Sequence, residues 1–313
     1  MRRAARTVAA PLALALAVLA ALAAYDRCAP SPAPWLAAAG LEAHFTSVDG
    51  HRLRYVRAGR GSAVVLIHGL GASLYTWKDV IPGLASDHDV IALDLPGFGL
   101  SDRPAGLALE DLPSAVLGLM DRLQLRRASL VGNSMGGSTA VLVAAGSPDR
   151  VSGLVLVDAA GFDLAPSDRP HLVRLALSPL GQAASLLPGK RLLVELALRQ
   201  VFHDPALVSD ERVAEYLDAV RQSGSFAALA SLGASLGGRE AIVRDARPRV
   251  TAPTLVVWGR DDRWIPLEHA GRFARAIAGA RSAVIEDSGH VPQEERPREL
   301  LRLLREFLGA IGA

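Results

Sequence analysis

The chain has 313 residues, half of them hydrophobic, with a formal net charge of +2. That apolar content excludes a globally disordered chain, and the length suits one α/β domain carrying an insertion. Before residue 30, Arg2, Arg3, Arg6 and Arg27 stand against Asp26, so the remainder holds 30 basic and 31 acidic side chains. That balance implies no basic face, and a nucleic-acid partner is not expected. A single cysteine, Cys28, excludes an internal disulfide framework and a Cys-rich metal site.

Residues 8–25 form an 18-residue apolar run, interrupted only by Pro11 and preceded by arginines. Such a run is just long enough to cross a bilayer core, and the positive flank would keep the N-terminus in the cytoplasm. Residues 1–27 are therefore expected to anchor the protein in a membrane, with the rest outside the cytoplasm. The alternative is secretion after cleavage at the Ala21-Leu22-Ala23 site. Residues 28–41 read as a Pro/Ala-rich, semi-rigid tether.

Further along, strand-like and helix-like stretches alternate. Residues 44–48 and 52–57 read as two strands joined at Asp49-Gly50. Continuous apolar runs at 63–67, 90–93, 129–131, 154–157, 254–258 and 283–285 read as buried parallel strands. Helical periods fall at 75–84, 109–123, 135–145, 267–278 and 296–308. The pattern predicts an α/β fold: a mostly parallel eight-stranded sheet with helices on both faces. Residues 162–243 show helical periods only, and read as a helical insertion between core segments 42–161 and 244–313.

The chemistry concentrates in Gly132-Asn133-Ser134-Met135-Gly136, a G-x-S-x-G pattern after a strand and before a helix. A serine on that turn stands proud of the sheet, and the helix N-terminus offers amides to a developing anion. The turn His68-Gly69-Leu70-Gly71 can aim the Leu70 amide at the same point as the Met135 amide, forming an oxyanion hole. His68 itself is expected to be structural. A serine nucleophile needs a base and the base an orienting acid. His290, in Asp287-Ser288-Gly289-His290 after the last strand, is the favoured base over His269, which falls inside a helix. Asp261 and Asp262 both follow the 254–258 strand, and Asp158 follows the strand before it. Asp158 is read mainly as a strand-end cap and secondarily as an alternative acid.

Residues 42–310 resemble the α/β-hydrolase superfamily. The matching runs are His68-Gly69-Leu70-Gly71, the 94–101 loop Asp-Leu-Pro-Gly-Phe-Gly-Leu-Ser, the 132–137 elbow, the 258–266 run from Trp258 to Pro266, and Ser288-Gly289-His290-Val291-Pro292 with Glu295 behind. The resemblance implies Ser134 as nucleophile, His290 as base and Asp262 as acid. It implies Leu70 and Met135 as oxyanion donors, with Gly69, Gly71, Gly132 and Gly136 in the supporting turns and 162–243 as the helical cap. It implies neither cofactor nor metal. Aspartate-nucleophile epoxide hydrolases and dehalogenases of this fold are excluded by Ser134.

Carbon–carbon bond hydrolases of ring-fission diketone acids share a G-N-S-M-G-G elbow, but typically carry Trp after the catalytic His and a cap arginine for the substrate's acid group. Here Val291 follows His290, and Tyr216 falls near the arginine's place, with Arg212 and Arg221 as possible substitutes. Lipase-like esterases share the elbow and the run Val157-Asp158-Ala159-Ala160-Gly161-Phe162. The expectation is a serine esterase or lipase acting on a small-molecule ester or lipid. The alternatives are carbon–carbon bond hydrolysis, cofactor-free perhydrolysis, or a non-catalytic binding protein on this scaffold.

Overall fold

The structure, a computed structural model, describes residues 16–28, 34–162, 188–234 and 236–312. Eight strands form one sheet: β1 (Ala43–Val48), β2 (His51–Ala58), β3 (Ala63–Ile67), β4 (Asp89–Leu93), β5 (Ala128–Asn133), β6 (Val151–Val157), β7 (Thr254–Gly259) and β8 (Arg281–Ile285). Their spatial order is β1-β2-β4-β3-β5-β6-β7-β8. β1 and β2 pair antiparallel, β2 meets β4 antiparallel, and every later pairing is parallel.

Two-residue alternation sends successive side chains of each central strand to opposite faces, and both faces are covered. Val65 and Ile67, Leu154 and Leu156, and Val256 and Trp258 join one core cluster, which holds the helices Leu112–Arg122 and Met135–Gly146. Val64 and Leu66, Val155 and Val157, and Leu255 and Val257 join the other, which is closed by the helix Pro297–Ala310. Burial on both sides is why these strands read as unbroken apolar runs.

The continuous helix expected at 75–84 is replaced by a 3₁₀ turn, Leu74–Trp77, and a short helix, Ile81–Leu84. Side chains divert the backbone there. The Asp94 carboxylate accepts the Leu74 amide at 2.8 Å, and Ser73 Oγ accepts from the Tyr75 amide at 3.3 Å. Pro82 then sits in the first turn of the short helix, where its missing N–H costs nothing.

Between β6 and β7 the described residues hold the helices Lys190–Val201, Asp210–Arg221, Ser225–Ala234 and Leu236–Ala246, and no strand. Much of the expected 162–243 insertion, residues 163–187, lies outside the described residues. So do residues 1–15 of the expected anchor and 29–33 of the tether. Residues 16–27 are helical, and the C-terminal end of that helix lies on the insertion. Asp26 Oδ2 and Oδ1 accept the amides of Gly189 and Arg191 at 2.7 and 2.9 Å, capping the helix Lys190–Val201. Tyr25 donates its hydroxyl to Glu195 at 2.6 Å and carries the Arg191 guanidinium over its ring. Among the described residues, no helix is long and apolar enough to cross a membrane.

Candidate active site

β5 ends at Asn133, and the helix Met135–Gly146 begins one residue after Ser134. Ser134 makes the turn with φ 54° and ψ −118°, a conformation L-residues seldom occupy and one that costs about 1–3 kcal/mol. Its surroundings hold it there. Its amide donates to Val157 O at 3.0 Å, and its carbonyl accepts the amides of Gly137 and Ala160, each at 3.0 Å. The close crossing needs glycine on both sides. A Cβ on Gly132 would lie 2.3 Å from Gly136 O, and one on Gly136 would lie 2.2 Å from Ile67 O. Met135 opens the helix, so its amide is one of the first-turn donors without an intrahelical acceptor.

The turn after β3 comes up beside the serine: a Cβ on Gly69 would sit 3.0 Å from Ser134 Cβ. His68 secures this turn from below. Its Nε2 accepts the Leu95 amide at 3.0 Å, which leaves Nδ1 to donate to Gly69 O at 2.8 Å. Burial pushes its pKa down, so the ring stays neutral in this role. Asp94 braces the neighbouring loop, with Oδ2 accepting the Leu100 amide at 2.8 Å. His68 therefore ties backbone to backbone beneath the Leu70 turn.

The loops after β7 and β8 meet at His290. Its Nδ1 lies 2.7 Å from Asp262 Oδ2, with the two side chains 5% and 0% exposed. Asp262 Oδ1 accepts two further amides, Trp264 at 2.7 Å and Ile265 at 3.0 Å. Three donors thus hold the carboxyl group in place beside the imidazole. Asp261, the neighbour that spacing alone left open, turns outward to His203 Nδ1 at 3.0 Å. Asn133 Nδ2 donates to Val157 O at 3.1 Å and to His290 O at 3.0 Å, tying the serine's predecessor to the histidine loop. The Trp264 ring stacks on the imidazole with centroids 5.5 Å apart.

Asp158 ends β6 with a positive φ of 45° and is wholly buried. Its Oδ1 accepts the Gly259 amide at 2.9 Å, so it caps β7 while lying beside the Asp262 carboxyl group. Asp158, Asp262 and His290 each bring a ligating atom within 4.8 Å of the others. Within the trio, His290 Nδ1 and Asp262 Oδ2 are hydrogen-bonded to one another at 2.7 Å. His269 is buried in the helix Glu268–Ala276, edge-on to Phe162.

Two adjacent glutamates fasten the insertion to this edge. Glu295 Oε1 accepts the Gly289 amide at 2.7 Å, while Oε2 accepts those of His203 at 2.7 Å and Asp204 at 3.4 Å. The His290 amide itself donates to Val201 O at 2.9 Å. Glu294 is buried and accepts from Thr76 Oγ1 at 2.6 Å and from the Tyr216 hydroxyl at 2.5 Å, with Arg212 Nε 2.9 Å from its other oxygen. Burial raises the Glu294 pKa, against the pull of Arg212 and the two hydroxyls. Arg212 also lies over the Phe202 ring, and Arg221 donates to the Asp26 carbonyl. Asp262, His290 and the elbow were visible as motifs. The roles of Asn133, Trp264 and Glu294 were not, because each acts through a contact distant in sequence.

Residues 64–303 match the model of the alpha/beta hydrolase family. The chain belongs to that family. A dihydrolipoyllysine-residue acetyltransferase component of an acetoin cleaving system from Cupriavidus necator is 36% identical over 270 residues, covering 85% of this chain and 68% of that protein. A 2-hydroxy-6-oxo-2,4-heptadienoate hydrolase from Pseudomonas putida is 33% identical over 265 residues, covering 80% of this chain and 91% of that protein. Among solved structures, a bacterial membrane phospholipase A is similar with a TM-score of 0.71 and 28% identity, across 99% of both chains. The family member described here is a hydrolase, and its α/β-hydrolase sheet places the elbow, the histidine loop and the acid at one edge.

Proposed function

We propose that this hydrolase cleaves carboxylic esters of lipid-like alcohols or acids through an acyl-enzyme. The reading rests above all on the Asp262–His290 pair at 2.7 Å, tied through Asn133 to the Ser134 elbow. His290 takes the proton as Ser134 attacks the acyl carbon. Asp262 holds the imidazole's tautomer and stabilises the imidazolium. The Leu70 and Met135 amides receive the oxyanion, worth roughly 3 kcal/mol per donor. Protonation of the leaving alcohol by His290 completes acylation, and water then releases the acid with the same base.

The cap supports an ester over an acidic diketone. A carboxylate-bearing substrate needs an uncommitted cation, and both cap arginines weighed for that role are engaged: Arg212 with Glu294 and Arg221 with Asp26. Tyr216 is likewise spent on Glu294, and Val291 packs into the cap cluster. Leu192, Leu193 and Leu196 leave large apolar surface exposed on the helix Lys190–Val201, which suits an amphiphilic substrate. Similarity to a membrane phospholipase A across nearly the whole chain favours the same class and a membrane location through residues 8–25. The second reading, carbon–carbon bond hydrolysis, is favoured by the Pseudomonas putida relative.

p-Nitrophenyl esters from acetate to palmitate, assayed beside a ring-fission diketone acid with wild type and Ser134→Ala, decide between them. Turnover of esters that is lost in the variant supports the proposal. Turnover of the diketone acid alone overturns it. Recovery of the protein in washed membranes, lost on deletion of residues 1–27, tests the anchor.

A further inference from the structure

Asp158 and Asp262 are two wholly or nearly buried carboxyl groups side by side, with His290 the third member of the set. Two carboxylates at that separation in a dry site cannot both keep a charge. The donor counts decide which one does. Asp262 accepts two backbone amides and the imidazole Nδ1–H, whereas Asp158 accepts only the Gly259 amide on Oδ1. Asp158 Oδ2 is buried and finds no donor of its own. An orphaned buried carboxylate oxygen is costly, but a hydroxyl at that position aimed at Asp262 satisfies both groups.

We propose that Asp158 is held as a neutral carboxylic acid whose Oδ2–H donates to Asp262, making it a positioning residue for the triad. The proposal rests on the triad reading above. Burial raises the Asp158 pKa first, and the Asp262 charge raises it further. The ionisable groups facing Asp158 are Asp262 from the β7 loop, His290 from the β8 loop and Glu295 from the helix Pro292–Glu295, which also raises it. No cation among them offsets these charges while the imidazole is neutral. The proton makes a fourth donor to Asp262. It fixes the carboxylate's rotation toward His290 and tempers its charge.

The test uses the full chain and the variants Asp158→Asn and Asp158→Ala. An asparagine reproduces the neutral acid: its Oδ1 accepts from Gly259 and its Nδ2–H donates to Asp262. Asp158→Asn is expected to keep kcat/KM within about 3-fold, with the acid limb of the pH profile unmoved. Asp158→Ala is expected to lose about 10-fold or more in kcat, with the acid limb displaced. Infrared difference spectra of wild type against Asp158→Asn at neutral pH are expected to contain the carbonyl stretch of a protonated carboxylic acid. An ionised Asp158 would give no such band, and its replacement by Asn would move the acid limb down by about one pH unit; either result overturns the proposal. The spectra read Asp158 without turnover, so a chain that hydrolyses no ester still tests it separately from the ester reading.

Discussion

The sheet edge that carries Ser134, Asp262 and His290 and the helical insertion above it, the proposed cap, are held by different means. At the edge, backbone amides do most of the holding: Asp262 is gripped by Trp264 and Ile265, Ser134 by Val157, Gly137 and Ala160. The cap is fastened by long side chains reaching across the sequence, namely Arg212, Tyr216, Glu294, Glu295 and Asp26. Backbone anchoring fixes the positions of Ser134 and Asp262 whatever side chains surround them. Side-chain anchoring leaves the insertion open to change, one fastener at a time.

The sharpest break in that comparison is on the chemical side. Ser134→Ala should lower kcat by at least about 10⁴-fold with the fold intact by circular dichroism. Asp262→Asn leaves the two amide contacts possible but offers the wrong partner to the imidazole, and should cost about 10³–10⁴-fold in kcat with little change in KM.

On the cap side the expected loss is stability rather than chemistry. Glu294→Gln leaves Arg212 without its buried counter-charge. It should destabilise by about 3–5 kcal/mol, read as a fall in Tm on the order of 10 °C. Asp26→Ala removes the cap of the helix Lys190–Val201 and should cost about 1 kcal/mol, seen as faster amide exchange at Gly189 and Arg191.

The smallest effect is a pH dependence. Burial raises the Glu215 pKa to about 7 from 4.5, with Asp218 adding to the shift. Between those values the folded state holds a proton that the unfolded state has lost, so stability falls as pH rises from about 4.5 to about 7. Glu215 is only half-buried, so solvent screening holds the loss to on the order of 1 kcal/mol. Denaturant titrations at pH 5 and pH 8 should show a difference in stability that shrinks by that amount in Glu215→Gln.

The strands were legible because a strand buried on both faces cannot hide its composition: 63–67 and 255–258 are apolar throughout. The elbow was legible because its glycines answer to backbone crossings, and crossings leave few residue choices. Spacing could not separate Asp261 from Asp262, since both leave β7 and only the turn's rotation sends one to His203 and the other to His290. The fasteners were illegible for another reason. Asp26 and the amides it caps are 163 and 165 residues apart, and hydropathy marks the N-terminal run as apolar without showing what its polar end grips. The broken 75–84 period was hidden similarly, because Asp94 competes for the Leu74 amide from outside the helix.

The contact between Asp26 and Gly189 also sets a mechanical path. Force applied along residues 16–27 bears on the Lys190–Val201 helix through Asp26. From Val201 the path leads directly to the amide of His290. Tension on that helix would therefore be felt at the His290 loop.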